Sequence, residues 1–231
     1  MDFFEAVEKR RSIRKFKKEA FPEEFIKKAL EAATLAPNSS NMQTWDFYWI
    51  KDPAKKQKIV EYCLNQSGAR TAQELIVVSA DPKKWKRSNP QMIKFVDQVN
   101  APTLVKDYYK KLIPLTYSWG LFNSLGILKK ILYQVIGLFR PITRGPSTKN
   151  DLQIVAIKSA ALACENFILA ITAQGGATLA MEGFDHQRVH RLLRLPSSAK
   201  IVMIIGVGYE DERGTWGPRM RIAQEQVVHI V

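Results

Sequence analysis

The apolar positions of this chain change period along its length, and the changes mark out its elements. Phe3, Phe4 and Val7 form a short apolar stretch that runs into a strongly polar segment at residues 9–18. Pro22, Glu23 and Glu24 predict a helix start, because proline suits the first turn and acids favour its positive end. Phe25, Ala29, Ala32 and Ala33 follow at helical spacing, and Pro37 marks the stop. Residues 45–50 are aromatic and predict a strand, Pro53 opens another helix, and residues 75–80 (LIVVSA) predict a short buried strand. A long helix is predicted over 151–174, closed by Gly175 and Gly176. Residues 200–208 (KIVMIIGVG) give the clearest strand, and after Pro218 the tail 222–231 reads as extended. Helices alternate with few strands, which predicts a three-layer α+β domain rather than an eight-fold barrel. No repeat or low-complexity linker divides the 231 residues, so one domain over 1–231 is expected.

Residues 119–139 are apolar enough to raise the question of a membrane span. Lys129 and Lys130 sit at the centre, each costing roughly 2.5–3.5 kcal/mol to insert. Leu121, Leu125, Leu128, Leu132, Val135 and Phe139 recur at steps of four and three, with Asn123, Lys130 and Gln134 off the stripe. This is an amphipathic helix, expected to pack on the protein itself as core or lid. A membrane-surface or partner-binding helix is the alternative.

Composition changes the picture in one respect. The 46% apolar and 25% charged content is that of an ordinary globular protein and excludes disorder. The balance of charge is unusual: 35 Lys and Arg against 22 Asp and Glu give a net +13, which points to an anionic partner. Cys63 and Cys164 have no ligand-spaced companions, and Cys164 lies in an apolar helical run. With no apolar leader at the N-terminus, a reducing, cytoplasmic setting is expected.

Four segments carry candidate chemistry. In Arg10-Arg11-Ser12-Ile13-Arg14, forked guanidinium donors and a hydroxyl match phosphate oxygens, and an extended backbone would put Arg10, Ser12 and Arg14 on one face. In residues 36–45 (APNSSNMQTW), amides and hydroxyls suit the edge of a heterocycle or a sugar-like chain, although Asn and Ser also favour a plain loop. Glu182-Gly183-Phe184-Asp185 offers a glycine that a ligand can approach closely, with Asp185 capping a helix from His186. Arg219 and Arg221 supply a second cationic group after the last strand.

Together these segments resemble the nitroreductase family of FMN-dependent oxidoreductases. RRSIRKF, APNSSNMQTW, MEGFD, and GVGY followed by PR occur in the family's order over most of the chain. The resemblance implies a mostly antiparallel sheet between helices, in an intertwined homodimer with FMN at the interface and a C-terminal arm (222–231) reaching the partner. It implies that Arg10 and Arg219 hold the FMN phosphate, with Arg11 and Arg221 beside them. Ser12 would contact the phosphate or ribityl chain, and Arg14 the N1/O2 edge of the flavin. Pro37, Asn38, Ser39 and Asn41 would reach the partner's flavin with Gln43 in support. Glu182 and Gly183 would lie beside the isoalloxazine ring. A further ring contact falls on Asn65, Gln66 or Arg70, with Gln66 taken into the site. Thr44 replaces the family's usual proline, and Gly217 a frequent basic residue. Residues 92–147 align with nothing and are expected to form an insert shaping the substrate pocket or interface. The implied reaction passes hydride from NADH or NADPH through FMN to a nitroaromatic, quinone or other small electrophile, with no obligatory catalytic side chain.

Other readings explain less. A nucleic-acid-binding protein using residues 9–18 and 83–87 accounts for the charge but not for the polar loop or the glycine segment. A flavin-binding sensor keeps the site without turnover. Glu182, His186 and His190 do not share a helix face, so no metal site is expected. Gly206-Val207-Gly208 lacks the third glycine of a dinucleotide fingerprint.

Overall fold

The computed structural model describes residues 1–231, and its elements follow in chain order. They are α1 (Phe3–Lys9), α2 (Glu23–Thr34), β1 (Trp45–Trp49), α3 (Pro53–Tyr62), α4 (Ser67–Thr71), β2 (Glu74–Ala80) and α5 (Trp85–Gln98). Then come α6 (Thr103–Asp107), a π-helical turn Tyr108–Leu112, α7 (Ile113–Tyr117), α8 (Ser124–Phe139), α9 (Lys149–Ala173), β3 (Ala177–Met181), α10 (His186–Leu192) and β4 (Lys200–Gly208).

Successive side chains of β2 point to opposite faces of the sheet and so separate two cores. Leu75 and Val77 pack with Ile13, Phe16, Ile59 of α3, Ala69 of α4 and Val189 of α10. Ile76, Val78 and Ala80 pack with Ile26, Ala29 and Ala33 of α2 and Ala160 and Phe167 of α9. The small residues on α2 and α9 let the two helices lie close on the sheet. All four strands are antiparallel in the order β1-β2-β4-β3. A register shift opposite Val78/Ser79 skips Val202, so Ile201 and Ile204 fall on the same face. The three-layer α+β architecture matches the sequence expectation.

Local signals account for the element ends. Asp52 and Asp185 each cap a helix, accepting from Ala54 N (2.8 Å) and Arg188 N (3.0 Å). Gly175 ends α9 at φ +83°, a conformation that favours glycine. At the start of α9, Asp151 Oδ2 accepts from Ser147 N and Thr148 N, and Thr148 Oγ1 accepts from Asp151 N. These backbone bonds, led by Thr148, hold the Asp151 carboxyl below its ordinary value of 3.8. In the unfolded chain Asp151 binds its proton more readily, so its contribution is present above pH 3.8 and is lost as the pH falls below that value. Asp151→Asn should lower the melting temperature at neutral pH, by an amount that shrinks as the pH falls below 3.8, as checked by thermal unfolding across pH.

Three expectations need correction. Ala177–Met181 forms edge strand β3 along β4, an element absent from the sequence reading. The tail 222–231 is not a plain extended arm: it contains a 3-10 turn at Gln224–Gln226 and is exposed throughout. The stripe on α8 does not pack on the chain. Leu121 is 76% exposed and Phe139 84%, and Leu128, Leu132 and Val135 are exposed as well.

The rotation of α8 has a polar cause. Lys129 is buried, and its ammonium donates to the carbonyls of Leu115 (2.8 Å), Thr116 (3.0 Å) and Ser118 (2.7 Å) at the end of α7. Cations are favoured at a helix C-terminus, and three carbonyls satisfy the ammonium's three donors. Gly126, on the same side, admits the backbone of Ser147 and Thr148, where a Cβ would meet Ser147 O at 2.9 Å. Two helices are long and apolar enough to cross a membrane, Leu121–Phe139 and Lys149–Ala173. The second is the core helix α9, while the first leaves its apolar side uncovered.

Candidate functional site

The N-terminal basic segment is stitched into the fold rather than solvated. Ile13 N donates to Thr178 O of β3 (3.0 Å), Arg14 N to Gly214 O (2.7 Å) and Lys17 N to Tyr209 O (2.9 Å). Ile13 and Phe16 are buried beneath it. This extended course lays Ser12 along β3, the edge strand, as an isolated parallel bridge to Thr178.

A cleft of about 400 Å³ opens beside that edge. Arg14, Gln66, Gly68, Glu182, Gly183 and Trp216 are among the residues lining it, with Lys15, Ser67 and Arg213. Of the three candidates left open by the sequence, Gln66 is the one in the cleft, and its Nε2 donates to Gly183 O (2.7 Å). The Gly183 N–H makes no hydrogen bond within the chain, and the nearest atom to a Cβ placed there is Gln66 Nε2 at 3.5 Å. The Arg14 guanidinium lies 4.2 Å from the centre of the Trp216 ring, a cation–π contact across the cleft wall.

Arg10, Arg11, Ser12, Arg219 and Arg221 lie outside the cleft lining but are joined to it. Arg14 Nη1 reaches Ser12 O (3.3 Å), and Arg11 Nη2 donates to Gly217 O (2.6 Å), next to Trp216. Arg219 closes the ring of contacts by donating to the carbonyls of Val7 (3.4 Å), Glu8 (2.5 Å) and Arg10, at the C-terminal end of α1. Desolvation by the groups around it, and then the positive charges of Arg10, Arg221 and Arg11, pull the exposed Arg219 guanidinium below its ordinary value. Four guanidiniums gathered in this way repel one another and favour an anion between them.

The polar loop is elsewhere. It precedes β1, on the far edge of the sheet from β3, three strand spacings or about 14 Å away. Ser40, Asn41 and Gln43 all have positive φ (55°, 55° and 46°), a run of non-glycine residues held in a costly conformation. Asn38 holds the turn, its Oδ1 accepting from Gln43 N (2.8 Å) and its Nδ2 reaching Ala36 O (3.3 Å). Ser159 Oγ accepts from Ser39 N (3.4 Å), Ser40 Oγ meets Tyr108 OH (2.6 Å), and Gln43 Nε2 donates to Asn41 Oδ1 (3.3 Å). Pro37 and Asn41 are exposed. Within one chain, then, the structure brings Arg10, Arg11, Ser12, Arg14, Gln66, Glu182, Gly183, Arg219 and Arg221 together. It does not bring Pro37, Asn38, Ser39, Asn41 or Gln43 to them.

Sequence reasoning missed Lys15, Ser67, Gly68, Arg213 and Trp216. Trp216 left a signal, as an aromatic between two glycines just before the Pro218-Arg219 motif. Elsewhere in the basic runs, Lys15 pairs with Asp211 (3.1 Å), and Lys84 and Arg87 with Asp46 (2.5 and 3.5 Å). Cys63 and Cys164 are free and buried, and burial pushes their thiols up to about 11 and about 12. They are inert packing groups.

A central antiparallel sheet between helices, edged by an arginine cluster and an open glycine-lined cleft, defines an α+β protein. Residues 7–209 match the model of the nitroreductase family, and the chain belongs to that family. Protein DrgA of Synechocystis sp. is 30% identical over 92% of this chain and 86% of its own length. An NADH dehydrogenase of Thermus thermophilus is 26% identical over 99% of this chain and 95% of its own. Among solved structures, one from Exiguobacterium sibiricum, described as a nitroreductase in complex with FMN, superposes with a TM-score of 0.74. It is 22% identical, with 100% of this chain and 98% of that one covered.

Proposed function

We propose that this chain is an NAD(P)H-dependent FMN oxidoreductase, one domain over residues 1–231, that works as a homodimer in a reducing, cytoplasmic setting. The observation that carries the reading is the joined arrangement of arginine cluster and cleft. Cations gather at one end, and Gln66, Glu182 and the side-chain-free Gly183 lie at the other. These groups suit FMN, which has a dianionic phosphate at one end and a flat heterocycle at the other. Arg10, Arg11, Arg219 and Arg221 would hold the phosphate, Ser12 the chain beside it, and Gln66, Glu182 and Gly183 the ring.

Bound FMN supplies two-electron hydride chemistry between NADH or NADPH and an acceptor. The protein's part is to bind, orient and bias charge. Arg14, fixed against Trp216, places a permanent positive charge at the cleft wall, where it stabilises negative charge developing on a bound ring. No side chain is assigned an obligatory proton transfer. The exposed loop Pro37, Asn38, Ser39 and Asn41, held by Gln43, would complete the site of a second copy. The acceptor class is a small electrophile such as a nitroaromatic or quinone.

The first test is an absorption spectrum of the purified protein, followed by anaerobic addition of NADH. Flavin bands that bleach on addition support the reading, whereas a protein that neither carries nor takes up FMN refutes it. Removing FMN should also lower the melting temperature, because a ligand held only by the folded state stabilises it by mass action. Equal melting temperatures with and without FMN would contradict its assignment as a resident cofactor.

A further inference from the structure

Three cations line the cleft, and they differ in what neutralises them. Lys15 and Arg213 both pair with Asp211, at 3.1 and 3.9 Å. Arg14 pairs with no carboxylate, although Glu182 lines the same cleft. Its guanidinium lies instead over Trp216, 4.2 Å from the ring centre. An ion pair engages the N–H edge of a guanidinium and cancels its charge. An aromatic ring takes only the flat face, so the charge stays whole and the edge donors stay free. One of these donors reaches Ser12 O at 3.3 Å, and the others meet no acceptor in the chain.

Trp216 is 83% exposed, so burial of its own side chain does not account for its position. The backbone on either side holds it there. Arg14 N donates to Gly214 O (2.7 Å), two residues before the ring, and Arg11 Nη2 donates to Gly217 O (2.6 Å), directly after it. A Cβ at position 214 would meet Asp211 O at 2.8 Å and Ile13 Cγ2 at 3.0 Å, so glycine lets the segment lie this close to Ile13 and Arg14. Residues 214–217 thus set the ring against the N-terminal segment, and the ring in turn restricts the rotamers of Arg14.

We propose that Trp216 is a positioning residue: by stacking on Arg14 it keeps an un-neutralised guanidinium edge turned into the cleft, and so raises the preference of the site for reduced over oxidised FMN. The proposal rests on the flavin reading given above and adds to it an effect of Trp216 exerted through Arg14. Reduction of FMN by two electrons with uptake of one proton leaves an anionic ring, and a fixed cation beside that ring favours the reduced form.

The test is the midpoint potential of bound FMN, read anaerobically against a reference dye, together with the affinity for oxidised FMN. Trp216→Leu should lower the preference for the reduced form by about three- to tenfold. Tenfold is a fall of about 30 mV for a two-electron couple. The affinity for oxidised FMN should change less than the affinity for reduced FMN. Trp216→Phe keeps an aromatic face for the cation and should recover most of the loss. In an Arg14→Gln background, Trp216→Leu should add nothing, because the pairwise interaction is already gone. Trp216 is exposed, so its replacement leaves both cores intact. A wild-type potential in Trp216→Leu, an equal loss of affinity for both forms, or the same fall in both backgrounds overturns the proposal and leaves the flavin reading standing. Failure of the wild type to bind FMN removes both.

Discussion

Arg219→Ala is expected to weaken FMN binding by roughly ten- to a hundredfold, measured by fluorescence titration of the FMN-depleted protein. A hydrogen bond to a charged group is worth about 1.5–3 kcal/mol, and 1.4 kcal/mol is a factor of ten in affinity. The Arg219 guanidinium also ties the carbonyls of Val7, Glu8 and Arg10 to the segment after β4, so the same change frees the end of α1 and with it the position of Arg10. The loss should therefore exceed that of Arg221→Ala, whose guanidinium reaches only the neighbouring Met220 carbonyl. Arg219→Lys keeps the charge but not the planar fork and should fall between wild type and alanine. Unchanged affinity in Arg219→Ala would place the phosphate elsewhere.

How much of this was legible in the sequence depended on the range of the interactions. Helix starts at Pro22 and Pro53, the Asp185 cap and the stop at Gly175 are local devices, and each sits where its residue type implies. β4 is nine residues of nearly unbroken apolar sequence and was equally plain. β3 was not, because five residues following a glycine pair carry little period, and its strand character comes from pairing with β4. The orientation of α8 was unreadable for the same reason. Its stripe predicts an inward apolar face, but carbonyls 11–14 residues earlier capture Lys129 and turn the helix over. In the site, the motifs marked the arginines, the loop and Gly183. The selection of Gln66 rests on a contact across 117 residues that no local pattern encodes. Trp216 and Arg213 enter the cleft through the course of the segment after β4, which spacing alone does not specify.

The separation of the polar loop from the cleft leads to the second large effect. The strained backbone at Ser40, Asn41 and Gln43 is held by Asn38, Ser159 and Tyr108, and nothing in the chain's own cleft uses it. If the loop completes the site of a partner subunit, each active site draws on both chains. Asn41→Trp in one chain, and Arg14→Ala with Arg219→Ala in another, should each abolish activity as homodimers. Co-expressed, the two chains assort at random, so about half the dimers are mixed. Each mixed dimer holds one site with both parts intact and one with both parts damaged, which restores about a quarter of the wild-type activity. Were loop and cleft to serve the same chain, no mixed dimer would contain an intact site and activity would stay at background. Isolating the mixed dimer with two affinity tags sharpens the contrast to half the wild-type rate against none. A tagged mixed dimer that binds FMN at one site per dimer yet shows no turnover would place the loop in its own chain's site, needed there for turnover rather than for holding the flavin.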